Sequence, residues 1–139
     1  MQQAIDTIVT QTEGQGFYDL THALRSFVAQ SGLNTGLLTA YVRHTSCSLL
    51  IQENADPDVQ ADLLGFFRRL VPEGMDWVAH ANEGPDDMPA HIKAALTQTS
   101  IGIPVSGSRP VLGTWQGLYL FEHRHQRHRR EIVLHIIGD

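Results

Sequence analysis

Beyond Gln98 the chain leaves helical spacing and turns to four short apolar runs: SIGIPV, PVLGTW, GLYLFEH and REIVLHII. Only SGS and a basic stretch separate the later ones. Consecutive strand-like runs of this kind are hard to fit into a doubly wound sheet, where strands and helices alternate. Upstream, Ala4 to Thr10 reads as a first strand, and TEGQGF, with its two glycines, breaks it. Tyr18 to Gln30 then carries Leu20, Ala23, Leu24, Phe27 and Val28 at the spacing of one helix face, with Ser31-Gly32 as a stop. Gly36 to His44 alternates again: Leu38, Ala40, Val42 and His44 share one face. Asp56-Pro57 is a helix start, with a carboxylate at the cap and a proline pre-set for the first helical position. Val59, Leu63, Phe67 and Leu70 form the buried stripe of that helix, which ends near Pro72. A further helix starts near DDMPAH, where Asp86, Asp87 and Pro89 suit a first turn. The order strand, helix, strands, two helices and a run of strands predicts an α+β fold.

A chain of 139 residues, 42% of them hydrophobic, fits one domain spanning residues 1–139. The start MQQAIDTIVTQTEG lacks a basic segment followed by an apolar one, and no apolar run approaches a bilayer span. A cytoplasmic protein with no membrane partner is expected. The net charge of -5 argues against nucleic acid as a partner, as does the lack of any basic run interleaved with aromatics. One cysteine, Cys47, excludes an internal disulfide and a cysteine-cluster zinc site, so a metal would have to rely on imidazole and carboxylate.

The eight histidines divide accordingly. His22 on a helix and His135 in the last strand read as structural. His44, His80 and His91 each stand at an element boundary beside small or acidic residues, in HTSCS, WVAHANEGPDD and DDMPAHIK. Three imidazoles can supply the protein ligands of an open zinc-type site. No compact metal motif joins them, however, and spacing alone does not show that they converge. If Asp87 is already helical, it and His91 lie four residues apart on one face. Glu53 is a candidate general base or an orienter for a ligating histidine, while Asn54 and Asp56 suit a turn and a cap. Cys47 reads as a small buried hydrophobe rather than a nucleophile. From His123 to Arg130 the chain reads HRHQRHRR, four arginines and three histidines with no acid among them. This run is either a solvated hairpin turn or a phosphate site, because guanidinium forks match phosphate oxygens.

Three blocks in this order, HTSCSLLIQENADPDV, EGPDDMPAHIK and TSIGIPVSGSRPVLGTWQGLYLFEHR, resemble the YjbQ family, also called the secondary thiamine-phosphate synthase family. The resemblance runs over nearly the whole chain. It implies an antiparallel β-sandwich with about three helices, assembled as a homotrimer with pockets near subunit boundaries. It also implies a histidine-lined metal or anion site and, in some members, a weak thiamine-phosphate synthase activity. The family's site histidines fall on His44, His80 and His91. Glu53, Asn54, Asp86, Asp87, Lys93, Gly113, Thr114, Trp115, Gln116 and Glu122 also fall on motif positions.

The expected site is therefore a divalent metal on the three histidines, with zinc first and magnesium accompanying the substrate. Glu53 or Asp87 would move a proton or orient a ligand. Thr45, Ser46, Asn54, Lys93, Thr114, Gln116, Arg124, Arg127 and Arg130 are the candidates to hold a small phosphorylated metabolite. Trp115 is expected to pack between subunits or between sheets. All-histidine sites suit water activation better than magnesium-pyrophosphate handling, so a metal-dependent hydrolase is the alternative enzyme, and a non-catalytic phosphometabolite binder the other alternative. Two departures bear on the transfer: Cys47 replaces a frequent alanine, and HRHQRHRR replaces a Phe-Asp-Gly-Pro-Arg turn.

Overall fold

The computed structural model describes residues 1–139. In chain order the elements are β1 (Gln2–Thr12), β2 (Gly16–Asp19), α1 (Thr21–Ser31), β3 (Gly36–Val42), β4 (Cys47–Glu53), α2 (Pro57–Leu70), α3 (Asp87–Leu96), β5 (Ser100–Ser106), β6 (Arg109–Pro110), β7 (Gln116–Glu122) and β8 (His128–Gly138). Every strand pairing is antiparallel, in a five-stranded sheet β1-β8-β3-β5-β6 and a three-stranded sheet β2-β7-β4. This is the α+β sandwich with three helices that the chain was expected to form.

Period-two alternation builds the larger sheet. Leu38, Ala40 and Val42 of β3, Ile101, Ile103 and Val105 of β5, and Ile132, Leu134 and Ile136 of β8 all point inward and are buried. Leu49 of β4, Leu118 and Leu120 of β7, and Leu24 and Val28 of α1 meet them from the other side. Each buried aliphatic side chain contributes about 1.5–3 kcal/mol. Register is fixed where β3 and β8 cross at Gly36 and Gly138: a Cβ on Gly138 would come within 2.0 Å of the Thr35 carbonyl oxygen. Only glycine lets the two strands approach that closely. At the far edge of this sheet, Pro110 confines β6 to two residues, so PVLGTW is mostly loop rather than strand.

The helices differ in how far the sequence foretells them. Asp56 caps α2 as expected, its carboxylate accepting the Asp58 amide at 2.9 Å. The stripe Val59, Leu63, Phe67 and Leu70, however, is only half-buried, and Leu70 is exposed. α2 lies over the small sheet's margin, where Phe67 meets Phe121 edge-on with ring centroids 5.3 Å apart. Tyr18 and Asp19 belong to β2 rather than α1, because β2 pairs with β7 and overrides the local helical spacing. α1 then ends at Gly32, which adopts the left-handed conformation at φ 73°.

The basic stretch is not a hairpin turn and is open only in part: His125, Arg127 and Arg129 are exposed, while Arg124 and Arg130 are buried. β7 and β8 lie in different sheets, so residues 123 to 127 form a crossover between layers. Its acids come from elsewhere in the chain, as the site geometry shows. No helix is long and apolar enough to cross a membrane.

Candidate imidazole–carboxylate site

α3 begins at Asp87, and one helical turn later comes His91. The His91 Nε2 lies 3.2 Å from the Asp87 Oδ2, and the same oxygen meets the His80 Nε2 at 2.5 Å. His80 arrives from the loop between α2 and α3 and is partly exposed, whereas Asp87 is buried. The three ligating atoms all lie within 4.8 Å of one another. Glu83 joins from the solvent side, its Oε2 3.3 Å from the His80 Nε2.

Asp87 and His91 are held from behind. The second oxygen of Asp87 accepts from the Arg124 Nη1 at 2.5 Å, and Arg124 also donates from Nε to Asp86 at 2.9 Å and from Nη2 to the Glu83 carbonyl at 2.9 Å. The His91 Nδ1 donates to the Thr45 carbonyl at 2.8 Å. A carbonyl only accepts, so Nδ1 carries the ring proton, and a neutral His91 turns the lone pair of Nε2 onto a carboxylate oxygen. Burial by itself would raise the Asp87 carboxyl, but the His80 hydrogen bond and the Arg124 guanidinium outweigh it and hold Asp87 below the usual carboxylate range. Asp86 is likewise depressed: burial opposes ionisation, and the His125 amide and Arg124 overcome it. The carboxylates Asp86 and Asp87, which suit a first-turn cap, thus point at Arg124 instead of the helix backbone.

The other expected site residues fall elsewhere. His44 ends the inward face of β3, but its Nε2 accepts the Glu131 amide at 2.8 Å. Burial first, and then Arg130, lower its pKa and favour the neutral ring that this acceptor role requires. His44 shares an open cleft of 260 Å³ with Thr45, His91 and Thr99, and only its Nδ1 remains uncommitted. Ser46 is buried against Arg130, whose Nη2 donates to its hydroxyl at 3.0 Å. The Arg130 fork otherwise closes on Glu122, at 2.7 and 2.5 Å, with Thr12 donating to the same carboxylate at 2.6 Å. Arg124 and Arg130 are therefore both buried and committed to acids of this chain, while Arg127 is exposed, 3.7 Å from Glu13.

Glu53, Asn54, Thr114 and Gln116 gather at the opposite end of the small sheet. The Glu53 Oε2 accepts the Asp56 amide at 3.1 Å, Asn54 donates to the Thr114 and Gln116 carbonyls at 3.4 Å, and the Gln116 Oε1 accepts the Gly113 amide at 2.8 Å. Glu53 lies six residue steps along β4 from Cys47, about 20 Å at strand rise, so within one chain this group does not meet the histidines. Trp115 is 64% exposed and does not pack between the sheets. Glu83 was missed by sequence reasoning, although its place three residues after His80 is a local signal.

The geometry defines a small α+β protein with an imidazole–carboxylate cluster where a connecting loop meets the first turn of a helix. The chain belongs to the YjbQ family: the family described as "UPF0047 protein YjbQ-like" matches residues 6–139. A UPF0047 protein of Synechocystis is 49% identical over 138 residues, covering 99% of this chain and 94% of its own length. The UPF0047 protein YjbQ of Escherichia coli O157:H7 is 39% identical, covering 96% of each chain. Among solved structures, a YjbQ/UPF0047 protein of Clostridium acetobutylicum superposes with a TM-score of 0.83 at 33% identity, over 96% of this chain and 99% of that one.

Proposed function

We propose that His80, Asp87 and His91 hold a divalent cation, zinc by the chemistry of the donors, and that the site acts on a small phosphorylated metabolite as a metal-dependent hydrolase. The observation that carries this reading is the convergence of two imidazole nitrogens on one buried carboxylate oxygen, with Asp87 and His91 each fixed from behind. A neutral His91 whose lone pair faces a carboxylate is repelled by it; a cation between them turns that repulsion into coordination. Two imidazoles and a carboxylate are one of the ligand sets of open zinc sites, and the exposed edge at His80 leaves room for a further ligand. Zinc bound there would supply Lewis acidity and lower the pKa of water.

This chain's own residues then have defined tasks. Arg124 locks the Asp87 carboxylate in one orientation, and the Thr45 carbonyl sets the His91 tautomer. Glu83, on the solvent side, takes the proton of the attacking water, a role that Glu53 is too distant to fill within one chain. The weak thiamine-phosphate synthase activity implied by the resemblance would use the same site to neutralise a departing pyrophosphate. Homotrimer assembly belongs to the same proposal, supported by the exposed apolar residues Ile5, Leu37, Tyr41 and Ile137 on the outer face of the large sheet.

Titration of chelator-treated protein with zinc, followed by calorimetry, tests the reading. About one zinc per chain should bind, and His80→Ala and His91→Ala should each lose that uptake while His44→Ala keeps it. Absence of stoichiometric uptake by the wild-type chain, or uptake unaffected by either cluster variant, would sink it.

A further inference from the structure

On the opposite side of α3 from His91, two residues and about 200° further round the helix, is Lys93. It is 97% buried by its surface exposure of 3%, yet neither a hydrogen bond nor an ion pair takes up its ammonium. It lines a cavity of 310 Å³ whose other polar walls are Gln15, Arg68, Glu73 and His125. Burial and the like charge of Arg68 both work against the Lys93 ammonium, and Glu73 and Asp86 only partly offset them. Arg68 is itself held in place: its Nε donates to the Gln15 Oε1 at 3.2 Å, and the Gln15 amide donates to the His123 carbonyl at 3.0 Å. The carboxylate of Glu73 is engaged by the His125 ring. Two cations thus face one cavity, one of them on a buried side chain whose ammonium reaches only the cavity and has no partner in the chain, and the Glu73 carboxylate beside them is already occupied.

A largely buried charge with no partner in the chain is costly and is ordinarily neutralised or paired. A chain that retains one, and braces a second cation beside it, is preorganised for an anion from outside. We infer that this cavity is a phosphate-binding subsite, in which Lys93 and Arg68 grip a phosphate group, either free or carried by a small phosphomonoester. Two positive groups against one engaged carboxylate match a phosphate better than the single charge of a carboxylate, and Arg68 supplies the planar fork that phosphate oxygens accept. The inference rests on the reading of the ligand as a phosphorylated metabolite, but not on the cation. Lys93 was expected to touch phosphate; Arg68 and Gln15 were not, because they come from the end of α2 and from the loop after β1.

The test uses chelator-treated full-length protein, with inorganic phosphate and glycerol phosphate as probes and calorimetry as the readout. Saturable binding of both probes is expected, competed by sulfate and not by acetate. Arg68→Gln, at an exposed position, should weaken binding about tenfold. Lys93→Met should abolish it while raising the unfolding midpoint, since a desolvated charge is removed without loss of volume; a structural lysine would lower the midpoint. Tighter binding of glycerol phosphate than of phosphate would identify an ester ligand, and equal binding free phosphate, each within the inference. No saturable binding, binding unchanged in Arg68→Gln, or competition by acetate equal to that by sulfate would overturn it. Zinc uptake, measured separately, decides the cation reading on its own.

Discussion

His123 makes the acid stability of this protein predictable. Its ring is 1% exposed, packs against Phe121 tilted at 58° with centroids 4.3 Å apart, and hydrogen-bonds through Nε2 to the buried Ser48 hydroxyl at 2.9 Å. Its Nδ1 is buried with no partner at all. Burial first, and then the positive charges of Lys93 and Arg130, push its pKa down from 6.5 to about 3. The folded chain therefore refuses a proton that the unfolded chain accepts, and in this window the unfolded state binds more protons. By linkage, stability is fully present above the unfolded value and falls with pH towards the folded one, at up to about 1.4 kcal/mol per pH unit. Between neutrality and about pH 4 this single ring should cost the fold about 3 kcal/mol. Urea unfolding at fixed protein concentration, repeated across that range, measures the cost. His123→Leu is the control: it gives up the Ser48 hydrogen bond, worth about 1 kcal/mol, but removes the titration. The two stability curves should cross as pH falls, the wild type giving up its lead of about 1 kcal/mol and ending about 2 kcal/mol below the variant near pH 4. Parallel curves would refute the reasoning and mean that the ring finds a partner or water in the folded state.

Two other buried groups give sharper yes-or-no outcomes. Glu122→Gln leaves the Arg130 guanidinium, 4% exposed, without its counter-charge, and should cost about 3–5 kcal/mol in urea unfolding; a loss under about 1 kcal/mol would mean that the pair is solvated. Arg130→Met in the same chain should restore part of that loss. Cys47 is fully buried and its thiol is pushed up to about 12, chiefly by burial, so a chromogenic disulfide reagent should label it only on unfolding. Labelling of native protein at the rate of a free thiol would contradict its placement in the core.

The residues that announced themselves in the sequence act locally. Asp56-Pro57 caps α2 because a cap is settled within three residues, and Leu38, Ala40 and Val42 share a face because strand period is a property of the backbone. Asp87 and His91 meet because four residues make one helical turn. What stayed hidden depends on partners distant in sequence. The run HRHQRHRR contains no acid, but Asp86 and Asp87 reach Arg124 from positions 38 and 37 residues away, and Glu122 lies just outside it, folded back on Arg130. His44 was readable as inward-facing, but the Glu131 amide that occupies its Nε2 is 87 residues distant. The half-burial of α2 follows from which sheet margin it covers, and that is decided by the pairing of β2 with β7 rather than by its own stripe.

The crossover from 123 to 127 explains why the cluster and the Lys93 cavity stand on one short helix. Arg124 binds both Asp86 and Asp87, while the next residue, His125, gives its amide to Asp86 at 2.9 Å and its ring to Glu73 in the wall of the cavity. Adjacent residues of one rigid segment therefore brace a carboxylate of the proposed cation site and the wall of the proposed phosphate subsite. Asp86 accepts from both, so it cannot move without loosening both. The two sites lie on opposite faces of α3, so a phosphate held at Lys93 and a cation held at Asp87 would be kept in fixed relation across the helix by this shared brace. His125 itself stands in the wall of the phosphate subsite, so loosening the brace at Asp86 would disturb both sites together.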